Sequence, residues 1–541
     1  MSGVGKRFVD AGYNDPKPLI LVEGKPIIQH VVELFPGETD ITFICNDLHL
    51  RETNMRETLL SIVPTCKIIE VSVENRRGPV DAVLQAIQLQ LQLQTDNSLF
   101  ENEEIIVSYC DYGTQWDYSA FLKNMRENNM DGGIACYIGF HPHMLGSDNY
   151  AFLSVVEGGS GSDSGCIEMT AIQEKQPFTD NKMNEYASNG TYYFRNVNIM
   201  KTYFERLVER NICVNNEFYV SMVYNLMRED NLRIGVFKID KMLQWGTPKD
   251  LEEYLVWSDY FLKRDTSFNC VDVDVDRYVT LILPMAGAGS RFFNVGYSTP
   301  KPLLDVEGLP MVVQAVKCLP PTNKKIFICQ KSHLEEYPIA ETLLNHFKGD
   351  DVSVIDIDYI TEGQACTCEL AFNNACVNEN NVQIPDDKPV MISACDNGVY
   401  YDMQKYLDVW TDPAVDIIIW SFSNNPTSLL YPHMYAWLDV DESGFIKRVS
   451  IKKPFTDCDA KHCIIGTMVF KKARYFKEGL DLIYSGNLRT NGEFYVDNMI
   501  EPLIEKGYRC KIFDVTNYLC WGTPNDYKTY QYWYEYFCKP K

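Results

Sequence analysis

Short apolar runs alternate with longer stretches whose apolar positions recur at helical spacing. From Tyr278 onward the order is YVTLILP, then a helical pattern through PMVVQAVKCL, then KKIFICQ, HLEEYPIAETLLNHF, VSVIDI, VMISACD and DIIIWSF. The earlier part of the chain has the same rhythm in PIIQHVVELF, DITFICN, KIIEVSV and EEIIVSYCD. Short runs rich in Val and Ile predict buried strands, and the longer periodic stretches predict helices. Strands that alternate with helices predict a doubly wound α/β sheet, mostly parallel, with ligands at the carboxyl ends of its strands.

The alternation is also a repeat. GVGKRF through PKPLILVEGKP, Gly3 to Pro26, matches GAGSRF through PKPLLDVEGLP, Gly287 to Pro310, without a gap. Matching pairs then follow in unbroken order: SYCDYG and SACDNG, KQPFT and KKPFT, GTYYF and GTMVF, NEFYV and GEFYV, QWGTPKD and CWGTPND, WSDYF and WYEYF. So long a period excludes a solenoid and predicts two tandem domains of one fold. Their expected bounds are 1–263 and 277–541, joined by a linker at 264–276, where small and charged residues replace the periodic pattern. In that linker Asp272, Asp274 and Asp276 alternate with Val, and a solvated edge is favoured over a metal motif because nothing makes the carboxylates converge.

Composition narrows the partners. A chain of 541 residues exceeds what one core fills, again predicting two domains. Fifty basic against 74 acidic residues leave a net charge of -24, which opposes nucleic acid as a partner. The 18 cysteines form no CxxC pair and read as reduced thiols of a cytoplasmic protein. No apolar run reaches the roughly 18 residues of a membrane span, and the first thirty residues lack a signal-peptide core.

The candidate chemistry lies in the repeated words. After the strand YVTLILP, Gly287 and Gly289 let backbone N–H groups approach a phosphate, and Arg291 supplies a bidentate grip. The spacing fits neither a dinucleotide fingerprint nor a Walker loop. PKP follows Arg7 and Arg291 at one interval, and a Lys between two prolines, Lys17 or Lys301, has a restricted backbone that aims its charge. Asp111 and Asp396 end apolar strands, where a doubly wound sheet presents ligands; each reads as a metal ligand or a turn cap, and the paired occurrence favours metal.

This ordered set, G-x-G-x-R-F, PKPL, an Asp ending a central strand, a Lys-Pro segment and GTP-x-D, resembles the nucleotidyltransferases that join NTPs to sugar 1-phosphates or similar phosphate monoesters. The resemblance spans each half and implies two tandem Rossmann-like, GT-A-like domains. It further implies that Gly3, Gly5, Gly287 and Gly289 with Arg7 and Arg291 hold the triphosphate, and that Lys17 and Lys301 stabilise charge during transfer. Asp111 and Asp396 would hold Mg²⁺, Lys175 and either Lys452 or Lys453 the acceptor phosphate, with Lys453 and the glycines Gly190 and Gly466 assigned to the acceptor side. Gly78 and Gly363 resemble the segment that closes over the nucleobase, although a glycine turn into a helix explains them nearly as well.

The chain departs from the family pattern where an Asp two residues before the final GTP is replaced by Gln244 and Cys520. A second metal ligand is then sought among Glu217, Glu493 and Asp497, the last replaced by Ser221 in the first half; a solvated surface Glu is the competing reading. The second half also has Ile451 where the first has Glu174, so the acceptors would differ. HPHML at His141 lacks a third ligand at a readable spacing and suits a loop. The aromatic stretch YKTYQYWYEYF at Tyr527 has helical spacing suited to a core, an interdomain surface or a homo-oligomer interface.

Met1 aligns with Met285, inside the motif, so the run equivalent to RYVTLIL is expected upstream of Met1 in a longer chain, or else the first domain is a degenerate partner. The expected activity is transfer of a nucleoside monophosphate to a small phosphate monoester with release of pyrophosphate, making activated precursors for glycan synthesis. A metal-dependent glycosyltransferase, or a nucleotide-binding scaffold with decayed sites, is the competing reading.

Overall fold

The structure is a computed structural model and describes residues 1–72, 77–93, 102–157, 166–264, 279–287, 289–373, 384–423, 425, 431–456 and 461–539. Most of the expected linker, including Asp272, Asp274 and Asp276, lies outside them. The chain divides into two compact units, Met1–Ser258 and Asp259–Lys541.

The second unit is built on one large sheet. Its strands run in the order Asp351–Ile357, Lys324–Gln330, Thr280–Met285, Val390–Ile392, His462–Phe470, Ile417–Ser423 and Cys510–Asp514, with the pair Ala436–Val440 and Ile446–Ile451 at the side. Thr280–Met285 is central and parallel to both neighbours, with Ile282 opposite Ile326 and Ile392. Alternate side chains of this strand enter two different cores. Ile282 joins one with Ile326, Ile392 and Phe476, while Leu281 and Leu283 join another with Phe327, Val313 and Trp420, as the two-residue period of a strand requires. Burial on both faces explains why the strand reads as a continuous apolar run.

Along this seven-strand path the sheet is mostly parallel, with His462–Phe470 the reversed strand. His462–Phe470 runs antiparallel to both Val390–Ile392 and Ile417–Ser423, and the side hairpin is antiparallel as well. GTMVF is apolar and β-branched in either direction, so the residues carry no sign of strand polarity.

In the first unit six strands form one sheet, in the order Ile105–Ser108, Tyr186–Phe194, Gly132–Tyr137, Ile234–Lys238, Ile167–Glu174 and Ala151–Glu157. Only Ile234–Lys238 and Gly132–Tyr137 are parallel there. Ile134 and Cys136 face one core and Ala135 and Tyr137 the other. Thr42–Asn46 and Lys67–Val71 form a separate parallel pair. Among the described residues of this unit, no strand joins Thr42–Asn46 to Ile105–Ser108, the place that Thr280–Met285 fills in the second unit.

The aromatic stretch is the helix Pro524–Cys538. Tyr527, Tyr530, Tyr532 and Trp533 are buried, and the Tyr527 hydroxyl donates to the Asp305 carbonyl at 2.6 Å. No helix among the described residues is long and apolar enough to cross a membrane.

Candidate active site in each unit

Each unit builds the same local constellation from the same words. Pro16 and Pro18 flank Lys17 in the 3-10 turn Lys17–Leu19, and Pro300 and Pro302 flank Lys301 in Lys301–Leu303. Proline fixes φ on both sides of the lysine, which sends its side chain over the ring of the motif Phe, Phe8 at 5.4 Å and Phe292 at 5.8 Å. Those rings are buried, so the last letter of G-x-G-x-R-F is a packing residue that carries the lysine stem.

The ammonium ends on the strand-end aspartate. Lys17 pairs with Asp111 and also donates to the Gly246 carbonyl at 2.9 Å; Lys301 pairs with Asp396 and donates to the Gly522 carbonyl at 3.3 Å. Burial disfavours the Lys301 ammonium, yet the Asp396 carboxylate overcomes this and holds its pKa above the usual lysine range.

The GTP-x-D word has a structural account. Thr523 caps the helix Pro524–Cys538 by accepting from the Asp526 N–H, and its hydroxyl donates to the Asp526 carboxylate at 2.6 Å. Thr247 and Asp250 repeat both bonds at Pro248–Lys263. The cap fixes the preceding glycine, whose carbonyl receives the lysine. Trp245 and Trp521 before it are fully buried.

Gly5 and Gly289 sit at the helix starts Lys6–Asp10 and Ser290–Phe293 with φ of 66° and 61°, the left-handed region that favours glycine. Gly3 and Gly287 have open space where a side chain would stand. Arg7 and Arg291 are exposed, and neither has an ion-pair partner among the described residues, so both guanidinium forks are available.

The structure settles which lysine of KKPF corresponds to Lys175. Lys175 has φ 59° and its N–H donates to the Tyr150 carbonyl; Lys452 has φ 61° and donates to the Tyr435 carbonyl. Lys453, placed on the acceptor side from the sequence, is exposed and has no such geometry. Gly190 and Gly466 both have positive φ in the long strands behind these lysines, and the Gly190 carbonyl accepts from the Tyr109 N–H at 3.0 Å.

The lysine surroundings differ. Lys175 donates to the Tyr219 hydroxyl at 2.6 Å, and that hydroxyl donates to Glu217. Beside it Ser221 donates to Glu174, whose carboxyl is pushed up by burial against the pull of Ser221 and Lys175. In the second unit Ile451 and Asp497 occupy the places of Glu174 and Ser221. Lys452 donates to the Met434 carbonyl at 2.8 Å. Burial lowers its pKa, with Asp497, Arg291 and Glu493 as its charged neighbours. Burial pushes the Asp497 carboxyl up to about 6, although Lys452 pulls it down.

For a metal, the strand-end aspartates are the fitting donors. A Cβ built on Gly246 would lie 3.0 Å from Gln244 Oε1 and 3.3 Å from Asp111 Oδ2, so an amide oxygen and a carboxylate converge at one point. At Gly522 the same point has Asp396 Oδ2 at 3.3 Å and the Cys520 sulfur at 3.6 Å. Mg²⁺ is held by one or two carboxylates plus substrate phosphates, so the first unit offers two hard oxygen donors and the second one. The wider set sought in the sequence is not assembled: Glu217 and Glu493 are exposed, Asp497 faces Lys452, and no group of three His, Cys, Asp or Glu able to hold a metal occurs among the described residues.

Gly78 and Gly363 brace their loops against the EFYV segment. Their φ values are 105° and 138°, and an added Cβ would lie 2.7 Å from the Phe218 backbone and 2.5 Å from the Phe494 backbone. Phe218 N–H donates to the Arg77 carbonyl and Val80 N–H to the Phe218 carbonyl; Phe494 and Ala365 repeat this with the Glu362 and Phe494 carbonyls. Each glycine thus locks one loop onto the EFYV segment, a contact invisible to local sequence reading. HPHML forms a 3-10 turn, Pro142–Leu145, in which buried His143 contacts the Tyr137 hydroxyl at 3.0 Å.

Comparison with known proteins follows the same lines. Residues 1–259 match the family described as nucleotidyl transferase. No curated protein matches the chain. Among solved structures, the chain is similar to a nucleoside-diphosphate-sugar pyrophosphorylase from Vibrio cholerae RC9, at 18% identity over 46% of this chain and 99% of that one, TM-score 0.37. It is also similar to an inositol-1-phosphate CTP transferase from T. maritima, at 14% identity over 48% and 97%, TM-score 0.35. A UDP-glucose pyrophosphorylase from Acinetobacter baumanii matches at 19% identity over 49% and 92%, TM-score 0.35. Residues 1–259 of the chain therefore belong to the nucleotidyl transferase family.

Proposed function

We propose that the chain is a tandem pair of nucleotidyltransferase domains, 1–263 and 277–541, each transferring a nucleoside monophosphate from an NTP to a sugar 1-phosphate or a similar phosphate monoester. The observation that carries the reading is the doubled constellation of an exposed motif arginine, a proline-held lysine on a strand-end aspartate, and a second, partly buried lysine at positive φ. Making activated precursors for glycan synthesis in the cytoplasm is the setting this reaction suits.

Transfer joins an acceptor phosphate oxygen to the NTP α-phosphorus and breaks the bond to the β-phosphate, so pyrophosphate leaves. Two anions must be brought together, and the protein's task is to neutralise and align them. Arg7 or Arg291 and the Gly loop grip the triphosphate. Lys175 or Lys452 holds the acceptor phosphate from the other side. Lys17 or Lys301, anchored by its aspartate and a glycine carbonyl, places a fixed positive charge where negative charge develops. Asp111 with Gln244, and Asp396, are the residues that would hold Mg²⁺, which when bound supplies charge neutralisation on phosphate oxygens.

The test is pyrophosphate release from the full chain, using each of the four common NTPs with Mg²⁺ against sugar 1-phosphates and phosphocholine. Acceptor-dependent release is expected. NTP binding without release in any combination would overturn the reading.

A further inference from the structure

The two acceptor-side pockets hold the same charges in different places. In the first unit, Arg7, Glu174 and Glu217 act on Tyr219, to which Lys175 is hydrogen-bonded. In the second, Arg291, Glu493 and Asp497 act on Lys452. Each pocket therefore has an arginine, a lysine and two carboxylates. Glu217 and Glu493 are matched, but the other carboxylate has changed walls. Glu174 lies on the strand Ile167–Glu174, next to the lysine; Asp497 lies on the turn Val496–Met499, where the first unit has Ser221.

The two positions are in direct contact in the first unit. Ser221 donates to Glu174, and the strand register is the same in both units, with Glu174 opposite Ala151 and Ile451 opposite Ala436. Replacing Glu174 and Ser221 by Ile451 and Asp497 exchanges the polar and less polar sides while conserving charge. Ile451 packs against the core containing Val496 and Met499, so the strand position beside Lys452 is apolar.

The consequences for a ligand follow. In the first unit a carboxylate beside the phosphate-binding lysine can accept hydrogen bonds from hydroxyls carried close to the phosphate. In the second unit the strand position beside the lysine offers hydrocarbon, and a hydroxyl set against Ile451 would lose its water without replacement. The turn position instead presents Asp497, half-buried, with the Lys452 ammonium committed to a carbonyl. Such a carboxylate is stabilised by a cation or donor arriving with the ligand.

Resting on the transferase reading above, we infer that the two units take different acceptors: the first a hydroxyl-rich sugar phosphate, the second an aminoalkyl phosphate whose short carbon chain lies on Ile451 and whose ammonium meets Asp497. Asp497 is then the specificity-determining residue of the second unit.

The test measures binding to the full chain by calorimetry without NTP, using glucose 1-phosphate and phosphoethanolamine as probes. Lys452→Ala should weaken phosphoethanolamine at least tenfold and leave glucose 1-phosphate unchanged; Lys175→Ala should do the reverse. Asp497→Asn, which keeps the shape, should weaken phosphoethanolamine about tenfold. Ile451→Glu with Asp497→Ser should remove that preference and add a second glucose 1-phosphate site. Loss of both probes through the same lysine, an unchanged preference in Asp497→Asn, or no binding of either probe would overturn the inference. Binding that follows the expected pattern without pyrophosphate release would sink the transfer reaction and leave the acceptor assignment standing. Release with one acceptor shared by both units would do the opposite.

Discussion

The first and second units agree at the strand-end aspartate and part company around it. Lys17 on Asp111 and Lys301 on Asp396 are held by the same prolines, the same ring and the same glycine carbonyl. The residues flanking that anchor, Gln244 against Cys520 and Glu174 with Ser221 against Ile451 with Asp497, differ in chemistry while keeping their positions. On the proposed reaction, groups that would act on the phosphates common to every NTP are fixed by chemistry that does not vary, whereas groups that would face the acceptor are free to change with it.

Removing the anchor gives the largest effect. Lys17→Ala and Lys301→Ala should each lower pyrophosphate release by its own unit about 100-fold or more, the loss typical of one transition-state charge donor. Release that survives in either single variant and vanishes in the double variant assigns work to both units; release abolished by one variant alone breaks the equivalence.

Acid should separate the units next. His141 is buried, and burial pulls its pKa down to about 4, with His143 also well below its usual value, whereas the second unit has Tyr431 and exposed His433 at those places. The unfolded chain takes up these protons first, so stability is present above about pH 6.5 and is lost as pH falls toward 4. His141 alone accounts for about 3 kcal/mol over that window. Thermal unfolding at pH 7 and pH 4.5 should show one transition moving far more than the other, and His141→Gln should shrink the difference; equal movement would refute the assignment.

The glycine braces give a smaller, symmetric effect. Gly78→Ala and Gly363→Ala should each cost about 1–3 kcal/mol, because a Cβ meets backbone at a strained φ. A loss confined to one unit's transition, read by calorimetry, ties each glycine to its own EFYV segment, and a neutral substitution would refute the brace.

Much of this was legible in the residues. Repetition exposed Lys17, Lys301, Asp111 and Asp396, because two copies of one spacing carry information that a single weak loop motif does not. The apolar run YVTLILP announced a strand buried on both faces, and Thr280–Met285 is one. Strand direction was not legible, since side-chain pattern is the same read either way, and His462–Phe470 made the sheet mixed. The match of KQPFT with KKPFT pairs Lys175 with Lys452, and the left-handed backbone shared by these two sets Lys452 apart from Lys453. At Gly78 and Gly363 the bar to a side chain comes from Phe218 and Phe494, far along the chain, and is invisible to a local reading. Asp497 was sought as a metal ligand on its type alone; only the fold shows it opposite Lys452.

The brace at Gly363 has a mechanical meaning as well. Two main-chain hydrogen bonds hold Glu362 to Ala365 against Phe494, and Arg489 stacks on the Phe494 ring at 3.8 Å while pairing with Glu362. The two loops are therefore one clasp, and a push on either is transmitted to the other without a hinge between them. Glu493 adjoins Phe494 and Asp497 lies in the next turn after it, so any displacement of the Gly363 loop carries both carboxylates with it as one body.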